Sequence, residues 1–399
     1  MNLSKNQDIL IVGGGIIGLA TARELRKKGV EKVTILEKNS ACGLEASSAA
    51  AGMLAPQAEA NEADDFFEFC QASRDLYPNF AKQLFDETGV DIELNQTGTL
   101  YLAFTEEDAE ELEKRFSWQK KANLEIEKLS AQEVLEIEPK VSKNVLFGLR
   151  FPTDWQVENQ KIVEAFNRQL TGIALNKFMQ RNAMDKVRAR NGAEFVSREV
   201  KSLIFENDKV IGVDTDIEKF YAPIIIIASG AWTSLIEDKF NLLSDIKIKP
   251  MRGQMLSFND HCKLFRHVIY SPRGYAVPRK NCKILIGATV EDVGFDSRPT
   301  GAGAASLLNT AFEIAPEFKN LSLKKTWAGL RPFAADGLPV LGAIPEIENL
   351  FVATAHYRNG ILLAPKTAEI LADKIVGNVE SKFLEIFSPR RFRGEANLS

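Results

Sequence analysis

The sequence predicts an α/β fold that opens on a βαβ unit and continues into a second, antiparallel layer. Three observations carry this. Asp8–Val12 is an unbroken apolar run ending in Gly13-Gly14-Gly15, the pattern of a parallel strand buried on both faces. Ile16–Lys28 is built of helix formers and closes on Gly29, and Lys32–Glu37 supplies a second strand. Further on, Pro223–Gly230 repeats the buried-strand pattern, and from Ile246 to Leu323 the apolar period falls to two.

Length and composition set the frame. The chain has 399 residues, which at about 150 residues per domain suggests two or three domains. Apolar and charged shares of 45% and 26% are those of a globular protein. Fifty basic against 54 acidic residues give a net charge of −4, so no basic field points to nucleic acid. The histidines are His261, His267 and His356, and the cysteines are Cys42, Cys70, Cys262 and Cys282. None falls at zinc-ligand spacing, so no metal site is expected, and histidine acid–base catalysis has few candidates. No apolar run approaches the ~20 residues of a membrane helix, and no signal peptide is evident. Scattered cysteines suit a reducing compartment, so a cytoplasmic protein is expected.

The opening unit carries the most chemistry. Gly13, Gly15 and Gly18 form Gly-x-Gly-x-x-Gly between strand and helix. The first allows the tight turn, the second lets backbone approach a pyrophosphate, and the third lets helix and strand pack closely. The helix start offers N–H groups and partial positive charge to phosphates. Glu37, at the end of the second strand, can accept from ribose hydroxyls and would repel a 2′-phosphate. Together these predict a Rossmann-type dinucleotide site.

Other elements follow in order. Ala46–Leu54 is a run of small residues that either gives a ligand access to backbone N–H groups or packs as the start of an Ala-rich helix. Glu106–Asn123 is a charged helix with Leu112 and Phe116 on its apolar stripe. Ser130 and Glu133 form a capping box ahead of a helix that Pro139 ends. The basic stretch between Asn182 and Asn191 reads as helix surface. Glu194–Val213 alternates like a small antiparallel layer. Asn359 is an expected N-cap, with Pro365 in the first turn and Gly377 at the C′ stop. The basic tail at Arg390–Arg393 reads as a solvated end.

Four segments resemble the D-amino acid oxidase-type flavoproteins, in particular the branch serving thiamine biosynthesis. They are the N-terminal βαβ unit, Ser48–Ala58 with Ala-Gly-Met-Leu-Ala-Pro-Gln, Trp327-Ala-Gly-Leu-Arg-Pro332, and His356-Tyr-Arg-Asn-Gly-Ile-Leu-Leu-Ala-Pro365. The resemblance runs from about residue 8 to 377. It implies non-covalent FAD and two interleaved domains. One is an FAD-binding domain of 1–75, 150–245 and 326–385; the other is a substrate-binding domain of 76–149 and 246–325 on an antiparallel sheet. Residues 386–399 form a tail.

The resemblance also implies residue roles. Gly13, Gly15 and Gly18, with the backbone of Ile16 and Ile17, hold the pyrophosphate. Glu37 and Lys38 meet the adenosine ribose, and the Val200 backbone meets adenine. Ala46, Ser47, Ala51, Gly52 and Met53 line phosphate and flavin. His356, Tyr357, Arg358, Asn359, Gly360, Ile361 and Leu362 wrap the pyrimidine end. Arg331 clamps the substrate carboxylate, Tyr275 gives it a hydroxyl, and Arg358 flanks it. No side chain is catalytic, since flavin N5 is the reacting atom.

The implied reaction is oxidative deamination of glycine or another small amino acid. Its products are an imine, then a 2-oxo acid, ammonia and, with oxygen, hydrogen peroxide. Thiazole synthase is an implied acceptor of the imine. The alternative is a D-amino acid or sarcosine-type dehydrogenase passing electrons to a quinone or partner protein. The oligomeric state stays open, a homo-oligomer included. Some positions depart from the family pattern. Arg273 stands where histidine is usual and predicts a more positive pocket mouth. Asn159 replaces a proline, and Leu170–Gly192 is longer than the family's connection.

Overall fold

The structure, a computed structural model, describes residues 8–171, 186–188, 193–259, 264–345 and 347–392. Among these, seven strands form a central sheet in the order Val340–Ile344, Ile347–Thr354, Ile224–Ile227, Asp8–Val12, Lys32–Glu37, Ala193–Ser197, Lys186–Arg188. The five inner strands are parallel and the two edges antiparallel. Ile9, Ile11, Ile224 and Ile226 pack into one core, while Leu10, Val12, Ile225 and Ile227 pack into another. Burial on both faces is why these strands read as continuous apolar runs. Helices Ile16–Lys27 and Gly360–Gly377 lie in the first core. The second core sits beneath a three-stranded antiparallel sheet spanning Val200–Tyr221.

The other large sheet has eight strands, in the order Leu323–Phe333, Lys249–Asn259, Lys283–Gly287, Gly274–Pro278, Val268–Ser271, Thr99–Ala103, Phe147–Phe151, Glu127–Ser130. Every pairing is antiparallel except that of Val268–Ser271 with Thr99–Ala103. Its two faces have different fates. Leu100, Ile269 and Ala276 point to a core closed by helix Gly301–Ile314, whereas Tyr101, Tyr270 and Tyr275 point to Ala51, Ala55 and Ala58. Period-two alternation therefore sends three tyrosines to one side. The boundaries expected at 150 and 326 fall inside strands Phe147–Phe151 and Leu323–Phe333 of this sheet.

The expected glycine-flanked helix, the capping box at Ser130 and the strand ending near Gly230 are all present, and Thr105 supplies a second capping box that was not predicted. Several readings need correction. Lys186–Arg188 is an edge strand paired with Glu194–Val196, not helix surface; most of the remaining 170–192 stretch lies outside the described residues. Ala193–Ser197 joins the parallel sheet, so only its successors form the antiparallel layer. Helix Gly301–Ile314 interrupts the two-fold region; its Gly/Ala-rich start hides the period, yet Leu307, Ala311 and Ile314 bury one stripe below the Thr300 cap. Arg391 is a staple rather than a solvated charge, bonding Asp336 and the carbonyls of Leu338 and Pro339.

The last long helix differs most from its reading. Asn359 precedes it but makes no side-chain cap, Pro365 sits inside it, and Asn378, not Gly377, takes the left-handed turn. Proline at 365 removes the N–H that would serve the Ile361 carbonyl. The Tyr77 hydroxyl donates to that carbonyl instead, and Ser73 Oγ donates to the Leu362 carbonyl at 2.7 Å. The neighbouring helices thus satisfy what proline leaves open.

Candidate active site

A cavity of about 410 Å³ runs from the glycine turn, past the small-residue segment, to the tyrosine-bearing face of the eight-stranded sheet. Gly13, Gly15, Ile16, Ile17, Glu37, Lys38, Ala46, Ser47, Ala51, Gly52, Met53, Val200, Tyr275, Arg331 and His356 through Ile361 all line it. Gly18 and Leu362 do not. A Cβ at Gly18 would stand 2.1 Å from the Gly13 carbonyl oxygen, so this glycine permits helix–strand contact; Leu362 belongs to the core.

The glycine turn fits a dinucleotide. Gly13 has φ +111° and its Cβ would lie 2.4 Å from the Ala228 carbonyl oxygen. A Cβ at Gly15 would meet only Ser47 Oγ, 3.6 Å away, so what its absence leaves is room for a ligand. Ser47 Oγ accepts the Ile16 N–H at 2.9 Å, so that amide is already engaged and the hydroxyl proton is left to give onward. Glu37 accepts from the Gly14 and Asn39 backbones at 2.8 and 3.0 Å. Burial nevertheless pushes its carboxyl above the usual range, against those bonds. Lys38 reaches Glu45 at 3.0 Å and lies 3.5 Å over the Trp232 ring, forming wall rather than pointing freely inward.

The small-residue run is a single-turn helix at Ala46–Ala49, a short strand at Met53–Leu54 and a second turn at Pro56–Glu59. Gly52, at φ +69°, lets the chain pass the Val157 carbonyl, which a Cβ would meet at 2.1 Å. Residues to which the sequence assigned no site role hold this run. Asn159 Nδ2 donates to the Ser47 carbonyl at 2.8 Å, and Arg279 donates to the carbonyls of Ala51 and Val157. Trp327 Nε1 donates to the Ala49 carbonyl at 3.0 Å, and Gly329 gives its strand room beside Ala49.

His356 is buried, with Nε2 3.0 Å from Thr367 Oγ1. Burial holds its pKa down to about 3, so it is a neutral, packed residue at working pH. The start of helix Gly360–Gly377 opens into the cavity at Asn359, Gly360 and Ile361 and presents positive potential there.

At the sheet end, Arg331 crosses over Gly253 and donates to the Thr289 carbonyl at 3.0 Å. Among the described residues it has no carboxylate partner. Tyr275 is buried, which raises its hydroxyl pKa, while Arg331 and Arg358 pull it the other way. Arg358 differs from Arg331: it donates to Glu59 Oε1 at 3.1 Å and to the Tyr270 hydroxyl at 3.2 Å. Glu59 raises the pKa of its guanidinium further. Glu59 and Tyr270 were not anticipated. The structure sets Tyr270 opposite Tyr101 and Tyr275 on neighbouring strands, a register that no local sequence signal carries. Arg273 does not line the cavity; Asp108 and Glu313 pair with it, so it brings no net positive charge to the mouth.

A glycine turn of the phosphate-binding type, joined by one cavity to the tyrosine-bearing face of an antiparallel sheet, marks a dinucleotide-dependent enzyme. The sequence pattern of the family described as FAD dependent oxidoreductase (DAO) matches residues 8–374, and the chain belongs to that family. It is 33% identical over 391 residues to glycine oxidase of Bacillus licheniformis, covering 98% of each chain. It is 32% identical to the bifunctional protein ThiO/ThiG of Trichormus variabilis, covering 98% of this chain and 56% of that one. The crystal structure of glycine oxidase from Geobacillus kaustophilus superposes with a TM-score of 0.86 at 32% identity, over 98% of this chain and all of the other.

Proposed function

We propose that this enzyme oxidises glycine or another small amino acid to its imine, which water converts to the 2-oxo acid and ammonia. FAD in the cavity supplies the two-electron acceptor and, on reoxidation by oxygen, hydrogen peroxide. The observation that carries the reading is Arg331, a guanidinium facing the cavity beside Tyr275 with no carboxylate partner among the described residues. A substrate carboxylate entering a dry pocket needs such a partner. The role of the side chains is to orient: Arg331 and Tyr275 hold the carboxylate, and the helix start at Asn359–Ile361 faces the pyrimidine end. Neutral His356 supports a reaction in which no side chain serves as base.

The division into an FAD-binding and a substrate-binding domain belongs to the same proposal, the seven-stranded sheet serving the first and the eight-stranded sheet the second. The fused relative supports delivery of the imine to thiazole synthase. No helix among the described residues is long and apolar enough to cross a membrane, and Cys42, Cys70 and Cys282 are free thiols, which supports a cytoplasmic setting. Peroxide release and anaerobic flavin bleaching with glycine, sarcosine, D-alanine and D-proline test the reading. A flavin that none of them bleaches would overturn it.

A further inference from the structure

Two arginines that line the cavity, Arg331 and Arg358, are not equivalent. Among the described residues, Arg331 is engaged by the Thr289 carbonyl and the Tyr275 hydroxyl and by no carboxylate, whereas Arg358 is held by the Glu59 carboxylate and the Tyr270 hydroxyl, and Tyr270 itself donates to Glu59. Glu59 cannot easily swing away. Its turn, Pro56–Glu59, is fixed beneath by Asp154, which accepts the N–H groups of Gln57 and Ala58 at 3.1 and 2.8 Å. Arg115 donates to the carbonyls of Gln57 and Ala60 on either side. Arg358, Arg331, Glu59 and Tyr275 all line the cavity, so the three charges face one shared space.

We propose that Glu59 sets the charge limit of the substrate: by occupying Arg358 it confines the site to amines with one carboxylate and turns away those with a second. One carboxylate neutralises Arg331. A second would have to displace Glu59 from Arg358 or lie beside its negative charge, and either is unfavourable. The inference rests on the reading of this site as an amino-acid oxidase.

Sarcosine and iminodiacetate test it as a pair, because iminodiacetate is sarcosine with a carboxylate added to its N-methyl group. The wild-type holoenzyme should favour sarcosine strongly. Glu59→Gln, which keeps an acceptor but loses the charge, should raise kcat/KM for iminodiacetate relative to sarcosine by roughly tenfold or more, the scale of one charge-assisted contact. Adding Arg358→Gln should remove the gain. Binding without turnover gives an independent reading. Malonate should perturb the wild-type flavin spectrum no more tightly than acetate, and should outbind it in Glu59→Gln. An unchanged ratio in Glu59→Gln, a gain that survives the double substitution, or wild-type malonate binding tenfold tighter than acetate would each overturn the proposal. The wild-type inhibitor comparison stands even if the variant loses flavin. A wild-type flavin bleached by none of glycine, sarcosine, D-alanine and D-proline would instead overturn the functional reading, leaving the inhibitor ratio to decide this one.

Discussion

The guanidinium of Arg331 lies across Gly253: a Cβ built there would stand 2.2 Å from its Cζ, Nη1 and Nη2. The two residues sit on adjacent antiparallel strands, with Met251 opposite Arg331 and Gly253 two positions along on the same face. The obstructed group is the far end of a flexible side chain. Gly253→Ala should therefore fold, because the guanidinium can move, but it should lose the clamp. We expect kcat/KM for glycine to fall roughly tenfold to a hundredfold with flavin content retained. Steady-state kinetics beside the flavin absorbance ratio checks this, and undiminished kcat/KM would show that the arginine's position is irrelevant.

Removal of the clamp itself sets the upper bound. Arg331→Ala should cost about 1.5–3 kcal/mol in kcat/KM for carboxylate substrates. Arg331→Lys keeps a charge but loses the planar fork, so it should fall between alanine and wild type. Acetate binding, followed through the flavin spectrum, should weaken in the same order. Equal losses in the two variants would mean that charge plays no part.

Much of this arrangement was legible in the sequence, and the rest had a physical reason to be hidden. Gly13, Gly15, Gly18 and Glu37 could be read because a nucleotide turn is local: every requirement falls within 30 residues. Arg331 and Tyr275 came from motif resemblance, and both line the cavity. Glu59 and Gly253 could not be found by either route. Glu59 acts through Arg358, 299 positions away, and Gly253 through a side chain on a neighbouring strand. Such partners are set by sheet order and packing. Arg273 failed for the same reason: its charge was visible, but Asp108 and Glu313, which cancel it, were not. Helix Gly301–Ile314 escaped because its small residues carry little apolar signal.

Asp154 makes a prediction about pH. It is fully buried, and desolvation raises its carboxyl to about 7, outweighing the N–H groups of Ala58 and Gln57. A carboxyl raised in the folded state binds more protons there than in the unfolded chain between about pH 4 and 7. Its contribution to stability is therefore present at low pH and is lost as pH rises through about 7. Asp154→Asn cannot titrate. The Tm of wild type minus that of the variant should decline from pH 5 to pH 7.5 and then level off. A difference flat with pH would show that Asp154 stays ionised throughout.

His356 titrates in the opposite sense. Its folded pKa is held at about 3 by burial, below the ~6.5 of an exposed imidazole. The unfolded chain then binds the extra proton between those values, so stability is present above pH 6.5 and is lost as pH falls toward 3. His356→Asn should flatten this acid loss of Tm. Because the ring is neutral across the working range, kcat for glycine in that variant should keep the wild-type pH profile, whatever its absolute value. A shifted acidic limb would instead make His356 an ionising participant.

Tyr77 and Pro365 form a pair whose coupling can be measured directly. Proline at 365 leaves the Ile361 carbonyl without its helical donor, and the buried Tyr77 hydroxyl takes that place. Tyr77→Phe should leave the carbonyl buried and unpaired at a cost of about 1–3 kcal/mol. Pro365→Ala restores an N–H at the right position, so in the Tyr77→Phe background it should recover part of that loss. In wild type the same change displaces an existing bond and should give less. The sign of the coupling is the test: a double-mutant cycle on denaturant unfolding should show the pair more stable than the sum of the single changes. The helix whose first residues face the cavity also carries this proline, so Tyr77→Phe should weaken flavin retention as well as the fold. Additive losses would mean that the hydroxyl and the missing N–H are unrelated.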